Sequence, residues 1–392
     1  MIWYNSMWFN PFHRKSIMRE SIILAIPLLI IITGCSDNPT KPDEPHAQSK
    51  YSDKPVFTVE PLKWFDGHSA AVSITYDTLW GQWKSQRLVD YVVNETLRKK
   101  LRIDFEMTTV KYDHPEYEFI VTDIRENVIP RGIHFFGHGH EHVYHDSLTY
   151  EEAYESFKLC FDLMTQWGFK PRAYGYPHSS GSKPSTQLAN MAAGFICARG
   201  AENNPDLYYI CPDDKTEPEN WYYLPSIQAG QDEPIYINDH SEMEPLLSGA
   251  LDKKAWVILL YHAIGFPGEY CYYPINEYLK DTDQIASHDF WCGNMDMVAC
   301  YIKERNRFSI DIIAISSTKE SFVYDVIFRD GLDNSIYDQP LSLEITFETD
   351  VPVQKVQFEP LIVSQSELLV ENNRLKLNVV PDEKKYRMWI FK

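Results

Sequence analysis

Residues 133–142 read Ile-His-Phe-Phe-Gly-His-Gly-His-Glu-His. The opening four residues, Ile133 to Phe136, have the make-up of a short buried strand. Beyond them lies a turn loaded with imidazoles, and a helix is expected from near Thr149. Five of the thirteen histidines fall between His134 and His145. Packing does not ask for that density, because histidine is only an intermediate burier and its neutral imidazole is the commonest metal ligand. His138 and His142 are therefore read as holders of a divalent metal. The bland alternative is a polar surface loop rich in histidine. A strand that ends in a polar turn and leads into a helix is the unit by which the rest of the chain can be parsed.

That unit recurs. Ala70 to Tyr76 (AAVSITY) is an expected strand ending in Asp77, followed by an amphipathic helix with Leu88, Val89, Val92 and Leu97 on one face. Ile103, Phe105 and Met107 alternate at strand spacing. Phe119 to Val128 is expected to be helical. Thr149 to Trp167 is the clearest helix: Thr149 and Glu152 make a capping box, Gly168 supplies the stop, and Ala153, Phe157, Cys160, Met164 and Trp167 form the buried stripe. Ala173 to Pro177 is a short strand and turn, Thr186 to Ala193 a short helix, and Phe195 to Arg199 a strand. Gly200 to Asp239 is loop-rich and aromatic. Trp256 to Tyr261 (WVILLY) is the most apolar strand and ends at His262. A helix near Phe290 to Arg305 leads to a last strand, Ile310 to Ile315.

Strands alternating with helices imply a parallel sheet, and about seven such units allow it to close into a barrel. Such folds carry chemistry at the C-terminal ends of their strands. Asp77, His138, the Tyr176-Pro177-His178 turn and His262 each come directly after an expected strand. From Phe322 the pattern changes to strand alternation, as in Leu341, Leu343, Ile345 and Phe347, with Asn372-Asn373 as a hairpin turn. This tail is read as a small β-sandwich, a packing or spacer unit in preference to a carbohydrate-binding module.

Composition bounds the function. The chain has 392 residues and a formal net charge of -19, with 44% hydrophobic and 14% aromatic content. A surface so acidic repels phosphate backbones, so nucleic acid is not an expected partner. Ser21 to Thr33 is an apolar run of thirteen residues, too short to span a bilayer comfortably. It comes after His13-Arg14-Lys15 and ends in Ile32-Thr33-Gly34-Cys35, the order of a secretory signal. The ending resembles a bacterial lipobox, which implies lipidation at Cys35. Residues 1–34 are then a lipoprotein signal peptide and 35–55 a Pro-rich tether, with residues 56–318 as the barrel and 319–392 as the sandwich. The implied location is the bacterial envelope, on the outer membrane, held by the lipid anchor alone.

Other chemistries fail on spacing. A zincin protease needs His-Glu-x-x-His, and His140-Glu141 is followed by Tyr144 at the required position. Ser179-Ser180-Gly181 lacks the Gly-x-Ser-x-Gly elbow of a serine hydrolase.

The ordered set of motifs resembles the polysaccharide deacetylases, the NodB-homology domain of carbohydrate esterase family 4. Thr75-Tyr76-Asp77-Thr78 is similar to that family's first motif, His138 and His142 to its second, Tyr174-Gly175-Tyr176-Pro177-His178 to its third, and Leu260-Tyr261-His262 to its last. The resemblance covers roughly residues 56–317. It implies a distorted (β/α)7 barrel that removes N- or O-acetyl groups from an acetylated polysaccharide or oligosaccharide with a divalent metal, zinc above cobalt or nickel. By position it implies His138 and His142 as metal ligands, Asp77 as general base and His262 as general acid. The backbone N–H of His178 would form part of an oxyanion hole beside Tyr176. The sequence departs from the family at two places. Its second aspartate, the third metal ligand, is Thr78 here, so Asp77, His140, His145 or His178 has to supply that ligand. The arginine that orients the base in many members is Gly175. Arg199 is a further site residue or the partner of a buried carboxylate. The alternative to a deacetylase is a catalytically silent glycan-binding or scaffolding lipoprotein on the same barrel.

Overall fold

Seven strands are buried on both faces, as parallel strands covered by helices must be. They are β2 (Ala70–Tyr76), β3 (Ile103–Met107), β4 (Ile133–Gly137), β5 (Ala173–Gly175), β6 (Cys197–Glu202), β7 (Leu224–Gln228) and β8 (Trp256–Tyr261); β1 is the preceding strand, Phe57–Pro61. This computed structural model describes residues 55–78, 86–231, 237–350, 352–362 and 368–392. The expected signal segment, Cys35 and nearly all of the tether lie outside those residues. Among the described residues no helix is long and apolar enough to cross a membrane.

The seven strands pair in sequence order, all parallel, and β8 returns to β2 along Ala71↔Trp256 through Tyr76↔Tyr261. The sheet is therefore the expected distorted (β/α)7 barrel. Its distortion has a local cause. β2 meets β3 only at Thr75↔Asp104 and Tyr76↔Phe105, and after the short parallel pair β9 (Ala263–Ile264) and β10 (Tyr272–Tyr273) the lower half of that edge is taken by β11 (Phe290–Cys292), paired with Ala70 to Val72. Those three residues were expected to open a helix. The apolar, β-forming Phe290-Trp291-Cys292 run instead fills the gap between two splayed strands, and the helix comes after it as Met295–Arg307.

Seven helices have ranges within the described residues. They are α1 (Gln86–Arg98), α2 (Glu118–Asp123), α3 (Tyr150–Gln166), α4 (Pro184–Ala193), α5 (His240–Asp252), α6 (Ile275–Ser287) and α7 (Met295–Arg307). α3 shows why the sequence is legible there. The Thr149 hydroxyl accepts from Glu152 N–H while Glu152 accepts from Thr149 N–H, and loss of such a cap costs ~1 kcal/mol. Ala153, Phe157, Cys160 and Met164 bury the apolar stripe against Phe105, Met107 and Phe135 in the layer between barrel and helices.

The strand expected at Ile310 to Ile315 is β12 (Ser309–Ser317), and it does not join the barrel. It pairs antiparallel with β13 (Ser321–Arg329). The physical reason is that β2 and β8 have already closed the barrel, so no edge is left for another strand. β14 (Leu341–Phe347) pairs with β1 on one side and β17 (Arg374–Val379) on the other. The second tail sheet contains β12, β13, β15 (Lys355–Glu359), β16 (Leu368–Leu369) and β18 (Asp382–Phe391). Leu343 and Ile345 of one sheet share a buried cluster with Val326, Phe328, Met388 and Ile390 of the other, which makes a sandwich. Asn372 and Asn373 turn with φ of 51° and 58°, the hairpin conformation expected of them. The sandwich thus takes one strand from before the barrel and one from directly after it.

Candidate active site

The register of the barrel decides which side chains meet. β3 aligns with β4 as Glu106↔Phe136 and Met107↔Gly137, and His138 N–H continues the ladder to Met107 C=O at 3.0 Å. Asp77 N–H continues β2 toward Tyr261 C=O at 2.8 Å. Ile103, Phe105 and Met107 pack outward against helices, so Asp104 and Glu106 point into the barrel, where they are 0% and 7% exposed. Asp77, Glu106 and His138 offer ligand atoms that all lie within 4.8 Å of one another. Glu106 is absent from the set expected from sequence.

Asp77 is held from the far side of the barrel. Gly175 on β5 aligns with Arg199 on β6, and a Cβ at Gly175 would stand 3.2 Å from Arg199 Cζ and 2.9 Å from the Phe136 ring. The missing side chain is therefore the room that the Arg199 guanidinium occupies. Arg199 is 1% exposed, lies 5.0 Å over the Phe136 ring, and donates from Nη2 to Asp77 Oδ1. The arginine absent at 175 is supplied by the next strand. Burial alone would raise the Asp77 pKa, but Arg199, with His138 and His262 nearby, holds it below the usual carboxylate range.

Glu106 is the opposite case. Burial and the Asp77 charge push its carboxyl well above the ordinary value. His138 Nδ1 lies 2.8 Å from the Gly175 carbonyl, so Nδ1 carries the proton and Nε2 is the free lone pair. Burial lowers the His138 pKa to about 3. Glu106 Oε2 sits 3.1 Å from that Nε2. The carboxyl and the imidazole nitrogen thus face each other directly inside the barrel.

The loop beyond His138 is shaped by Gly139. Its φ is +89°, and a Cβ there would meet Glu141 C=O at 2.5 Å, so only glycine turns the chain this way. The turn sends His140 to Thr109, with Nδ1 3.1 Å from Oγ1, and away from the cavity. His145 is fully buried, stacked 4.4 Å from the Phe157 ring, with Nε2 3.2 Å from Ser156 Oγ. Neither takes the place of the missing aspartate. The His142 ring lies 5.0 Å from that of His138 and 4.4 Å, edge-on, from that of His178. His142 is not a member of the three-residue convergence.

His178 occupies a strained turn with φ 54° and ψ 20°, and its ring stacks 3.9 Å from Tyr144. The turn is tied by hydrogen bonds from Ser179, Ser180 and Gly181 N–H, so the His178 N–H is not among its ties. Across the mouth, His262 comes directly after β8 and packs edge-on at 5.2 Å against Tyr270. These groups line one cavity of about 650 Å³, which also takes in Tyr176, Asn203 and Gln228. Asp77, His138, His142, Tyr176, His178, Arg199 and His262 all border it, so the expected residues from five strand ends share one space. Tyr144, Tyr270 and Gln228 were not singled out as site residues from the sequence.

The donor set suits a divalent cation. One imidazole nitrogen and two carboxylates converge in a buried space, the N and O chemistry that zinc and its neighbours accept. The commitment of His138 Nδ1 to a backbone carbonyl is the arrangement that orients a metal-binding imidazole.

No family profile matches the chain, and no curated protein matches it. Among solved structures, a candidate polysaccharide deacetylase from Mycobacterium smegmatis is similar at 14% identity and TM-score 0.44, covering 63% of this chain and 94% of that one. The Puue allantoinase is similar at 14% identity and TM-score 0.41, over 66% of this chain and 96% of that one. A CE4 family pseudoenzyme from Bacillus anthracis is similar at 11% identity and TM-score 0.35, over 58% of this chain and 65% of that one.

Proposed function

We propose that this chain is a metal-dependent hydrolase that removes N- or O-acetyl groups from a cell-envelope or extracellular polysaccharide. The observation that carries the reading is Asp77: an ionised carboxylate, fixed by Arg199, opening into a cavity that also holds His138 and His262. His138 and a neighbouring carboxylate would hold the cation, with His142 beside them. A bound zinc, or cobalt or nickel, supplies Lewis acidity toward the acetyl carbonyl oxygen. Asp77 accepts the proton of the attacking water. His262, after the strand paired with that of Asp77, donates a proton to the departing amine or alkoxide. Each such transfer is worth ~10²–10⁴-fold. The His178 N–H faces the charge that develops on the carbonyl oxygen, and the ring of Tyr176 closes that side. The Tyr144 and Tyr270 rings offer apolar faces with polar edges to a sugar. Cys35 is the proposed lipid attachment point, with residues 36–55 as tether and the sandwich as spacer, placing the barrel at the bacterial outer membrane.

A second reading is favoured by Thr78. It stands where the resemblance calls for a ligand aspartate, which points to a silent glycan-binding barrel. One experiment separates the two. Acetate release by the full chain is measured on acetylated oligosaccharides and simple acetyl esters, with zinc or cobalt and then with chelator. Chelator-sensitive release is the expected result. No release from any substrate by folded, metal-loaded protein overturns the hydrolase and leaves the binding role.

A further inference from the structure

We infer that Glu106 is the carboxylate ligand of the cation, supplied from β3, and that Asp77 is thereby left to Arg199 and to proton transfer. The inference rests on the metal-dependent reading of the same site. Three observations carry it. The first is direction. His138 can ligate only through Nε2, because Nδ1 is committed to the Gly175 carbonyl. The atom standing over that lone pair is Glu106 Oε2, at 3.1 Å. Two atoms bound to one zinc at about 2.0–2.1 Å stand ~3.3 Å apart at the tetrahedral angle. The existing separation is close to that of two ligands sharing a metal, so a cation on Nε2 would meet Glu106 with little movement.

The second observation is charge. Asp77 already has a buried cation on Oδ1, the Arg199 guanidinium. Among the described residues the ion-pair geometry of Glu106 is to His138 alone. A divalent ion between Glu106 and His138 would give the Glu106 carboxyl the direct cation that Asp77 already has in Arg199. The third is placement. Thr75 aligns with Asp104 and Tyr76 with Phe105, so Asp77 and Glu106 stand at one level on adjacent strands. Asp77 borders the open cavity, and Glu106 is not among the residues that line it. Ligand and base thus differ in their access to the cavity. Thr78 brings a neutral hydroxyl, and its N–H is bonded back to Tyr76 C=O at 2.9 Å.

The test is metal binding by the full-length chain, read by bound zinc after dialysis and by the visible absorption of the cobalt form. Wild type is expected to hold one equivalent. Glu106→Gln keeps shape and size while removing the charged ligand, and should weaken binding by at least the ~10–100-fold seen when groups supporting a ligand are lost. Glu106→Asp keeps the carboxylate, should fold as wild type does, and should bind with intermediate affinity and a shifted cobalt spectrum. Thermal melts of all three confirm folding. The inference is overturned if Glu106→Gln binds as wild type, if Glu106→Asp leaves both affinity and spectrum unchanged, or if wild type binds no metal. Metal held through Glu106 without acetate release on any substrate sinks the hydrolase and keeps the ligand. Chelator-sensitive release with binding indifferent to Glu106→Gln does the reverse.

Discussion

One strand carries a histidine at each end of the barrel interior, and the two have opposite fates. His134 is the second residue of β4, at the floor, and His138 comes just after the strand, at the mouth. Both rings face inward beside carboxylates. At the floor, His134 lies 3.5 Å from both Asp104 and Asp296, with Nε2 also 3.3 Å from Lys170 C=O. Burial alone would lower its pKa, but Asp296 and Asp104 lift it to about 9. Asp104 is satisfied in turn by Asn294 and by Met295 N–H at the start of α7. At the mouth, burial takes His138 to about 3 and, with the Asp77 charge, pushes the Glu106 carboxyl well above its ordinary value. The floor is a network in which the His134 ring lies between two carboxylates and Asp104 has donors of its own. The mouth gives Asp77 its cation and leaves a lone pair facing an acid beside a 650 Å³ cavity. A group that is tuned and then left open is where chemistry belongs, and a tuned group that is closed in belongs to stability.

The sharpest way to break this comparison is Asp77→Asn. The amide oxygen still accepts from Arg199, so the barrel should fold, while the base is gone. Acetate release should fall by ~10²–10⁴-fold. If kcat survives within a few-fold and the melt moves instead, Asp77 belongs with the structural charges and the contrast between mouth and floor collapses.

The floor makes a different demand, on stability against pH. His134 is raised from 6.5 to about 9 on folding. A raised pKa contributes stability that is fully present below the unfolded value of 6.5 and is lost as pH rises through 9. The loss is at most ~3 kcal/mol by linkage, and less in practice because burial and Asp104 also raise Asp296. The groups facing the ring are Asp104 from β3 and Asp296 from α7, and Asp296 has Arg172 Nη1 at 4.0 Å, itself tied to Asp338. Urea midpoints measured between pH 6.5 and 9 should decline in wild type and flatten in Asp296→Asn. An equal slope in both would take the floor network out of the account.

The same contrast explains how much of the molecule is legible in its sequence. Strand ends that carry Asp77, His138, His178 and His262 stand out because the strands before them are apolar. Glu106 does not stand out. The alternation of Ile103, Phe105 and Met107 reads as one apolar face, and nothing in that pattern singles out Asp104 and Glu106 between them. In a closed barrel both faces are buried, and the polar face is the interior. Carboxylates alternating with apolar residues on a barrel strand are the available signal. β7 escapes notice because Pro225 interrupts a short run, and α5 because Pro245 lies inside it. The edge of the sandwich is hidden because the pairing of β1 with β14 spans almost 290 residues, a distance over which local pattern carries no information.

Tyr144 gives the smallest expected effect and tests the mouth's outer wall. The ring is 59% exposed, so it contributes little to the core, and it lies flat on His178 at 3.9 Å. The ring borders the cavity and is open to a ligand there. Tyr144→Leu should leave the melt within ~0.5 kcal/mol of wild type, as surface changes do. It should raise KM for an oligosaccharide by the ~0.5–1.5 kcal/mol of an aromatic contact, with kcat kept. A simple acetyl ester, which has no ring to stack, should show no change in KM. If both substrates respond alike, Tyr144 acts by holding the His178 turn, and the wall is part of the catalytic scaffold instead of a sugar platform.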